Sequence, residues 1–246
     1  MNGAIPTRMT KVLGLKCEEV SGRLLDIGCA SGEFSLVLKA ALGVEELYGI
    51  EMSSDGSEAA QEKGIQMAQM DLNKDSFPYP DNFFGVVFAG EVMEHLLDSD
   101  KFLDEIFRVL VPGGHFILTL PNIASWHCRL QLLLGYQPYA IPISMKHRWS
   151  GAFLATQRAK GRKIREHLYI NSLGGLDHVL FFTNRGACAL VEAHGFNVVK
   201  VIGSPYDDLT INLPPIVRRI IKAVDYVAAT IPDLASGVII HATKPG

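Results

Sequence analysis

The sequence predicts an α/β domain with a mostly parallel sheet and helices on both faces, and three observations predict it. Strand-like apolar runs alternate with helical stretches five times between Leu24 and Leu120. The first run, Leu24-Leu25-Asp26-Ile27, passes through a tight turn bounded by Gly28 and Gly32 into a helix. The second run ends in an acid, Glu51, 23 residues after Gly28, near the offset at which nucleotide-binding α/β folds hold a ribose.

Length and composition set outer bounds. The chain has 246 residues and is 48% hydrophobic, enough for one large domain with a sizeable core. A formal net charge of -3 gives no reason to expect nucleic acid. Cys17, Cys29, Cys128 and Cys188 form no CxxC pair, which fits reduced thiols in a cytoplasmic protein and gives no zinc spacing. No signal-like segment or run of about 18 uncharged apolar residues occurs, so no spanning helix is expected.

The elements follow in order. Residues 1–22 read as a helix or cap. After the glycine turn, Phe34 to Leu42 gives a helical apolar face that stops near Gly43. Leu47 to Glu51 is a second buried strand, and Ser53, Ser54 or Asp55 can cap the next helix. Ile65 to Met70 is the third strand, ending at Asp71-Leu72, and Phe83 to Ala89 is the fourth. A helical stretch from Gly90 to Leu96, a helix from Ser99 to Leu110 and a strand from His115 to Leu120 follow. Beyond Pro121, Ala124 to Leu134 looks helical, and Thr183 caps a helix that ends at Gly195. Strands are expected at Phe196 to Val201 and Gly237 to Ala242, with an amphipathic helix near Ile216 to Ile231 between them.

Four features in sequence order carry a family resemblance: Leu24 to Gly32, then Glu51, then Asp71-Leu72, then Arg108-Val109-Leu110-Val111-Pro112-Gly113-Gly114. Together they resemble the class I S-adenosylmethionine-dependent methyltransferases. The Pro121-Asn122-Ile123-Ala124-Ser125-Trp126 segment and Arg129 to Gly135 look like the methionine biosynthesis W branch, within the type 11 methyltransferases. The resemblance implies a Rossmann-like, seven-stranded, mostly parallel sheet whose last strand is antiparallel. It implies one methyltransferase domain over residues 1–246, with a lid-like, substrate-covering insertion at 135–178 and a helical insertion at 204–235. One departure stands out: the middle glycine of the usual turn is Ala30.

The resemblance also implies a cofactor site for S-adenosyl-L-methionine. Gly28, Cys29, Ala30 and Gly32 would line its methionine part, with Asp26 near the ammonium. Glu51 would take the ribose hydroxyls, Met52 would flank the adenine, Asp71 and Leu72 would sit at the adenine edge, and Gly90 and Glu91 would face the cofactor. From the residues alone, Asp26 disfavours a pyrophosphate and favours a cationic ligand, which argues against a nicotinamide-dependent oxidoreductase.

Methyl transfer from a sulfonium needs positioning more than acid–base machinery, and a base only where the acceptor carries a proton. Glu94 and His95 are the catalytic candidates. With Glu91 they form an acid–His segment that, at helical spacing, could serve as a base or a metal half-site, although a purely structural role is the plainer reading and no metal is expected. Residues 146–165 hold seven cations and no acid, which suits a lid that attracts a carboxylate or phosphate. Asn122, Trp126, Arg129, Lys146, His147 and Arg148 are the candidate substrate contacts, and His147, His167 and His178 are possible bases.

The expected activity is methyl transfer to a small, anionic acceptor, a small molecule or a glycan. The rival is a non-catalytic cofactor-binding protein that regulates another enzyme. The helix near Ile216 could touch a membrane surface, cover a core or form a dimer contact.

Overall fold

The computed structural model describes residues 6–17, 22–138, 141, 178–206 and 214–246. Seven strands form one sheet: β1 (Arg23–Ile27), β2 (Glu46–Glu51), β3 (Gln66–Gln69), β4 (Phe84–Gly90), β5 (Leu110–Pro121), β6 (Asn197–Ser204) and β7 (Gly237–Thr243). Their spatial order is β3-β2-β1-β4-β5-β7-β6. β7 runs antiparallel to both neighbours, and the other pairings are parallel. The expected seven-stranded Rossmann-like sheet is therefore observed. Strand order reverses between β1 and β4, so the carboxyl ends of those strands border the crevice where open α/β sheets bind ligands.

Eight residues of strict alternation are not needed here, because both faces of the sheet are covered. Leu25, Ile27, Val87, Ala89, Phe116 and Leu118 enter one core, together with Phe102, Leu103 and Ile106 of α4 (Ser99–Val109). Leu24, Val86, Phe88 and Ile117 enter the other, with Val12 of α1 (Thr7–Leu13) and Leu38 of α2 (Glu33–Leu42). Double burial explains why the strands read as continuous apolar runs.

Most boundaries fall within a few residues of expectation. α3 (Ser54–Glu62) is capped by Ser53, whose hydroxyl accepts from Gly56 N at 3.1 Å. α6 (Asn184–Ala193) is capped by Thr183 in the same way at 3.0 Å. α5 covers Trp126–Leu133 and α7 covers Pro215–Ala228.

The helix or cap expected in residues 1–22 includes α1, Thr7–Leu13, between Pro6 and Gly14. One expectation needs correction. The helical stretch from Gly90 to Leu96 is a single 3-10 turn at Met93–His95. Its physical cause is Glu91, whose φ of +58° lies in the left-handed region and interrupts any right-handed helix there.

Candidate functional site

The turn after β1 is held by backbone geometry. Gly28 N and Cys29 N both donate to Ile50 O, at 2.8 and 3.3 Å, which folds the turn against the end of β2. Gly28, Ala30 and Gly32 have φ values of +72°, +47° and +78°. A β-carbon on Gly28 would also lie 2.6 Å from Val92 Cγ2, and one on Gly32 would lie 2.3 Å from Ile65 Cδ1. These two glycines therefore answer to backbone conformation and internal packing. The space a β-carbon would take at these two positions is filled by the protein's own side chains.

Glu51 closes the turn from the other side. Its Oε2 accepts from Ala30 N and its Oε1 from Ser53 N, both at 2.9 Å. Asp26 is 3% exposed and accepts one hydrogen bond, from Ser35 Oγ at 2.6 Å. Burial and then the Glu51 charge push its carboxyl up to about 7, against the Ser35 hydrogen bond. Among the described residues neither carboxylate is ion-paired. Two acids at the mouth of β1 and β2 with no cation beside them suit a positively charged ligand.

The other expected contacts divide by what their side chains do. Met52 is 49% exposed beside Glu51, open to flank a flat group. Cys29 is buried, with Sγ 3.8 Å from Met67 Sδ, so only its backbone faces the turn. Asp71 pairs with Lys74 at 2.8 Å and accepts from Asn73 N at 3.1 Å, which sets the loop after β3. Leu72 packs partly against the core. At Gly90 an added β-carbon would meet the Phe88 ring.

Glu91 is engaged within the chain. Its carboxylate forms an ion pair with Arg8 of α1 and accepts from Thr119 Oγ1 at 2.9 Å, while its backbone N donates to Thr119 O at 3.1 Å. Glu91 therefore ties α1 and β5 to the end of β4, which leaves its carboxylate committed rather than aimed at a ligand. Arg8 was not singled out in the sequence. It sits in a segment with no motif, and Gly237 makes room for it: a β-carbon there would lie 1.9 Å from Nη2.

Glu94 has the most unusual surroundings. It is 1% exposed, and among the described residues neither carboxylate oxygen has a hydrogen-bond partner. Burial and then the Glu91 charge raise its pKa well above the ordinary carboxylate value. His178 Nε2 lies 4.0 Å from Glu94 Oε1, and the His95 and His178 rings meet edge to face at 4.8 Å. The segment carrying His178 is clamped there, because Val179 N and Leu180 N both donate to Glu94 O. One ligand atom from each of Glu94, His95 and His178 falls within 4.8 Å of the others, a spacing that could hold a proton or a cation. A second such group, Cys17, His115 and His241, joins β5 to the end of β7, at the opposite end of the strands. Val92 connects the Glu94 segment to the turn, since it packs against Gly28.

Three expected substrate contacts have structural employment. Asn122 is 3% exposed, and its amide donates to Ala235 O at 2.9 Å while its oxygen accepts from Ala124 N. Trp126 Nε1 donates to Asp225 Oδ1 of α7 at 2.8 Å. Arg129 donates to Ala124 O and Asp233 O. These groups bind the segment between α7 and β7 to the end of β5. Lys146, His147, Arg148 and His167 lie outside the described residues.

The family described as "Methyltransferase domain" matches residues 4–201. A demethylmenaquinone methyltransferase of Anoxybacillus flavithermus is 30% identical over 129 residues, 49% of this chain and 53% of that protein. The enzyme of the same name from Thermus thermophilus is 26% identical over 112 residues, 44% of this chain and 51% of that one. The chain thus matches about half the length of these curated relatives. Among solved structures, an S-adenosylmethionine-dependent methyltransferase from Mesorhizobium loti matches with a TM-score of 0.60 at 19% identity, covering 95% of this chain and 96% of that one. A possible histamine N-methyltransferase from Thermotoga maritima matches with a TM-score of 0.57 at 17% identity, covering 97% and 87%. At such identities the structures speak for the fold. None of these similarities is specific to the methionine biosynthesis W branch.

Proposed function

The chain belongs to the S-adenosylmethionine-dependent methyltransferases, and from that premise we propose that it methylates a small acceptor whose proton is taken up at Glu94, His95 and His178. When bound, the cofactor supplies an activated methyl group and a neutral thioether leaving group. The residues present fit it: among the described residues Asp26 and Glu51, at the ends of β1 and β2, make no ion pair, which suits a ligand with a cationic end. Asp26 would hold the ammonium, Glu51 the ribose hydroxyls, Met52 a face of the adenine, and the backbone of residues 28–32 the methionine part. The loop at Asp71 and Leu72 borders the adenine end of the same edge.

The observation that carries the proton step is Glu94. A buried carboxyl with both oxygens unpartnered is costly unless it is neutral or shared. A carboxyl whose burial favours its neutral form, set beside two imidazoles, is suited to exchanging a proton. The segment's contact with Gly28 through Val92 brings this group to the cofactor turn. Negative charge on the acceptor rests on the cationic run of residues 146–165. The curated relatives' names supply a second acceptor to test, a demethylmenaquinone.

The experiment is conversion of S-adenosylmethionine to S-adenosylhomocysteine across a panel of carboxylate, phosphate-bearing, amine and quinol acceptors. Turnover with one class is expected, and Glu94→Gln should slow it by about a hundredfold or more while calorimetric cofactor affinity holds. Turnover indifferent to Glu94→Gln would remove the proton role. Tight cofactor binding without turnover on any acceptor would favour the regulatory, non-catalytic reading.

A further inference from the structure

α7 has its polarity inverted relative to a helix that covers a core. Of its residues Pro215–Ala228, only Asp225 and Ala228 are buried. Asp225 is the anchor: its Oδ1 accepts from Trp126 Nε1 at 2.8 Å and from Ser236 Oγ, and its Oδ2 accepts from Tyr206 N at 2.7 Å. The carboxylate faces inward, and the aliphatic residues face outward.

At about 100° per residue, Ile216, Ile220, Val224 and Val227 fall on one stripe. They are 72%, 60%, 43% and 70% exposed. Arg219 and Lys222, both exposed, lie along one flank of that stripe. Asp225 is the one acid in the helix and it is buried, so the outward charge is wholly positive on a chain whose net charge is -3. The Trp126–Asp225 bond joins α7 to α5 on the face opposite the stripe. Four large aliphatic side chains exposed along one stripe differ from singly scattered surface residues.

We propose that α7 seats the protein on an anionic phospholipid surface, with the Ile216–Val227 stripe in the acyl boundary and Arg219 and Lys222 among the headgroups. Aliphatic residues on one face with cations beside them are what an in-plane interfacial helix requires. A second copy of the chain suits the surface less well. A symmetric contact along the stripe would bring Arg219 and Lys222 of both copies together with no exposed acid on the helix to pair them. The position also serves the site's edge: Gly237, which follows the α7 connection, pairs with Pro121 at the end of β5. This surface is separate from the cofactor turn and stands whether or not the Glu94 proton step does.

The test is cosedimentation of the full chain with vesicles of phosphatidylcholine alone or mixed with phosphatidylglycerol. Binding to the mixed vesicles is expected, weakened by salt and weaker on phosphatidylcholine alone. Ile220→Glu with Val227→Glu should reduce partitioning by about tenfold or more, and Arg219→Gln with Lys222→Gln should remove the phosphatidylglycerol dependence. All four side chains are exposed, so circular dichroism and cofactor calorimetry should match wild type. No binding to either vesicle, or binding equal in wild type and the Glu variant, would overturn the proposal. So would a vesicle-indifferent dimer dissolved by the same Glu substitutions.

Discussion

The Arg8 guanidinium in α1 and the Glu91 carboxylate after β4 form an ion pair across 83 residues of chain, with their side chains 8% and 26% exposed. Burial works against the charge on Arg8, and the facing Glu91 and Glu94 carboxylates more than restore it. Removing one partner of such a pair leaves the other charge poorly solvated, which typically costs about 3–5 kcal/mol. Glu91 keeps some contact with water, so Arg8→Ala is expected at about 3 kcal/mol, read from urea unfolding. Arg8→Met with Glu91→Gln should recover part of that loss. A double variant no more stable than Arg8→Ala would show that packing, not the unpaired charge, sets the cost.

Ala30 occupies the left-handed region at φ +47° and its side chain is exposed. That conformation costs a non-glycine residue about 1–2 kcal/mol. Glycine would relieve it and give back about 0.4–1 kcal/mol through a freer unfolded chain. Ala30→Gly is therefore expected to raise stability by about 0.5 kcal/mol. A fall in stability would mean that the alanine methyl makes contacts outweighing the strain.

Glu51 both closes the turn and faces the place assigned to the ribose. Glu51→Ala should weaken cofactor binding by more than about tenfold in titration calorimetry, or about 1.4 kcal/mol. It also removes acceptors for Ala30 N and Ser53 N, so some loss of stability accompanies it. Glu51→Gln keeps one acceptor oxygen and separates the two roles. Unchanged affinity in both variants would end the ribose assignment.

What could be read in the sequence tracks what is local. The β1 strand and its turn depend on adjacent apolar residues and on Gly28 and Gly32, and both were legible. The caps at Ser53 and Thr183 act over three residues, and they too were legible. The 3-10 turn at Met93–His95 was not, because Glu91 enters the left-handed region in a setting built by Arg8 and Thr119 from distant elements. The bonds made by Asn122 and Trp126 were hidden for a related reason. Polar groups at a sheet's ligand edge look available, yet theirs are spent on Ala235 and Asp225 of a connection more than ninety residues later. The apolar stripe of α7 was visible, but its outward direction depends on how Asp225 is bonded.

Asp26 should make both stability and cofactor binding depend on pH. In the folded chain its carboxyl titrates at about 7, raised first by burial. In the unfolded chain an aspartate titrates near about 3.9. Between those values the folded protein holds a proton that the unfolded chain has lost. Stability from this group therefore falls as pH rises through that window, and it is flat below and above it. Asp26→Asn should remove that slope in urea unfolding followed against pH. A cationic ammonium beside Asp26 would favour the ionised carboxylate, so cofactor affinity should rise with pH up to about 7 and then level. Below that point, binding should release a proton, measured by calorimetry in buffers of different ionisation enthalpy. The same proton release in Asp26→Asn would assign the proton to another group and remove the ammonium contact from Asp26.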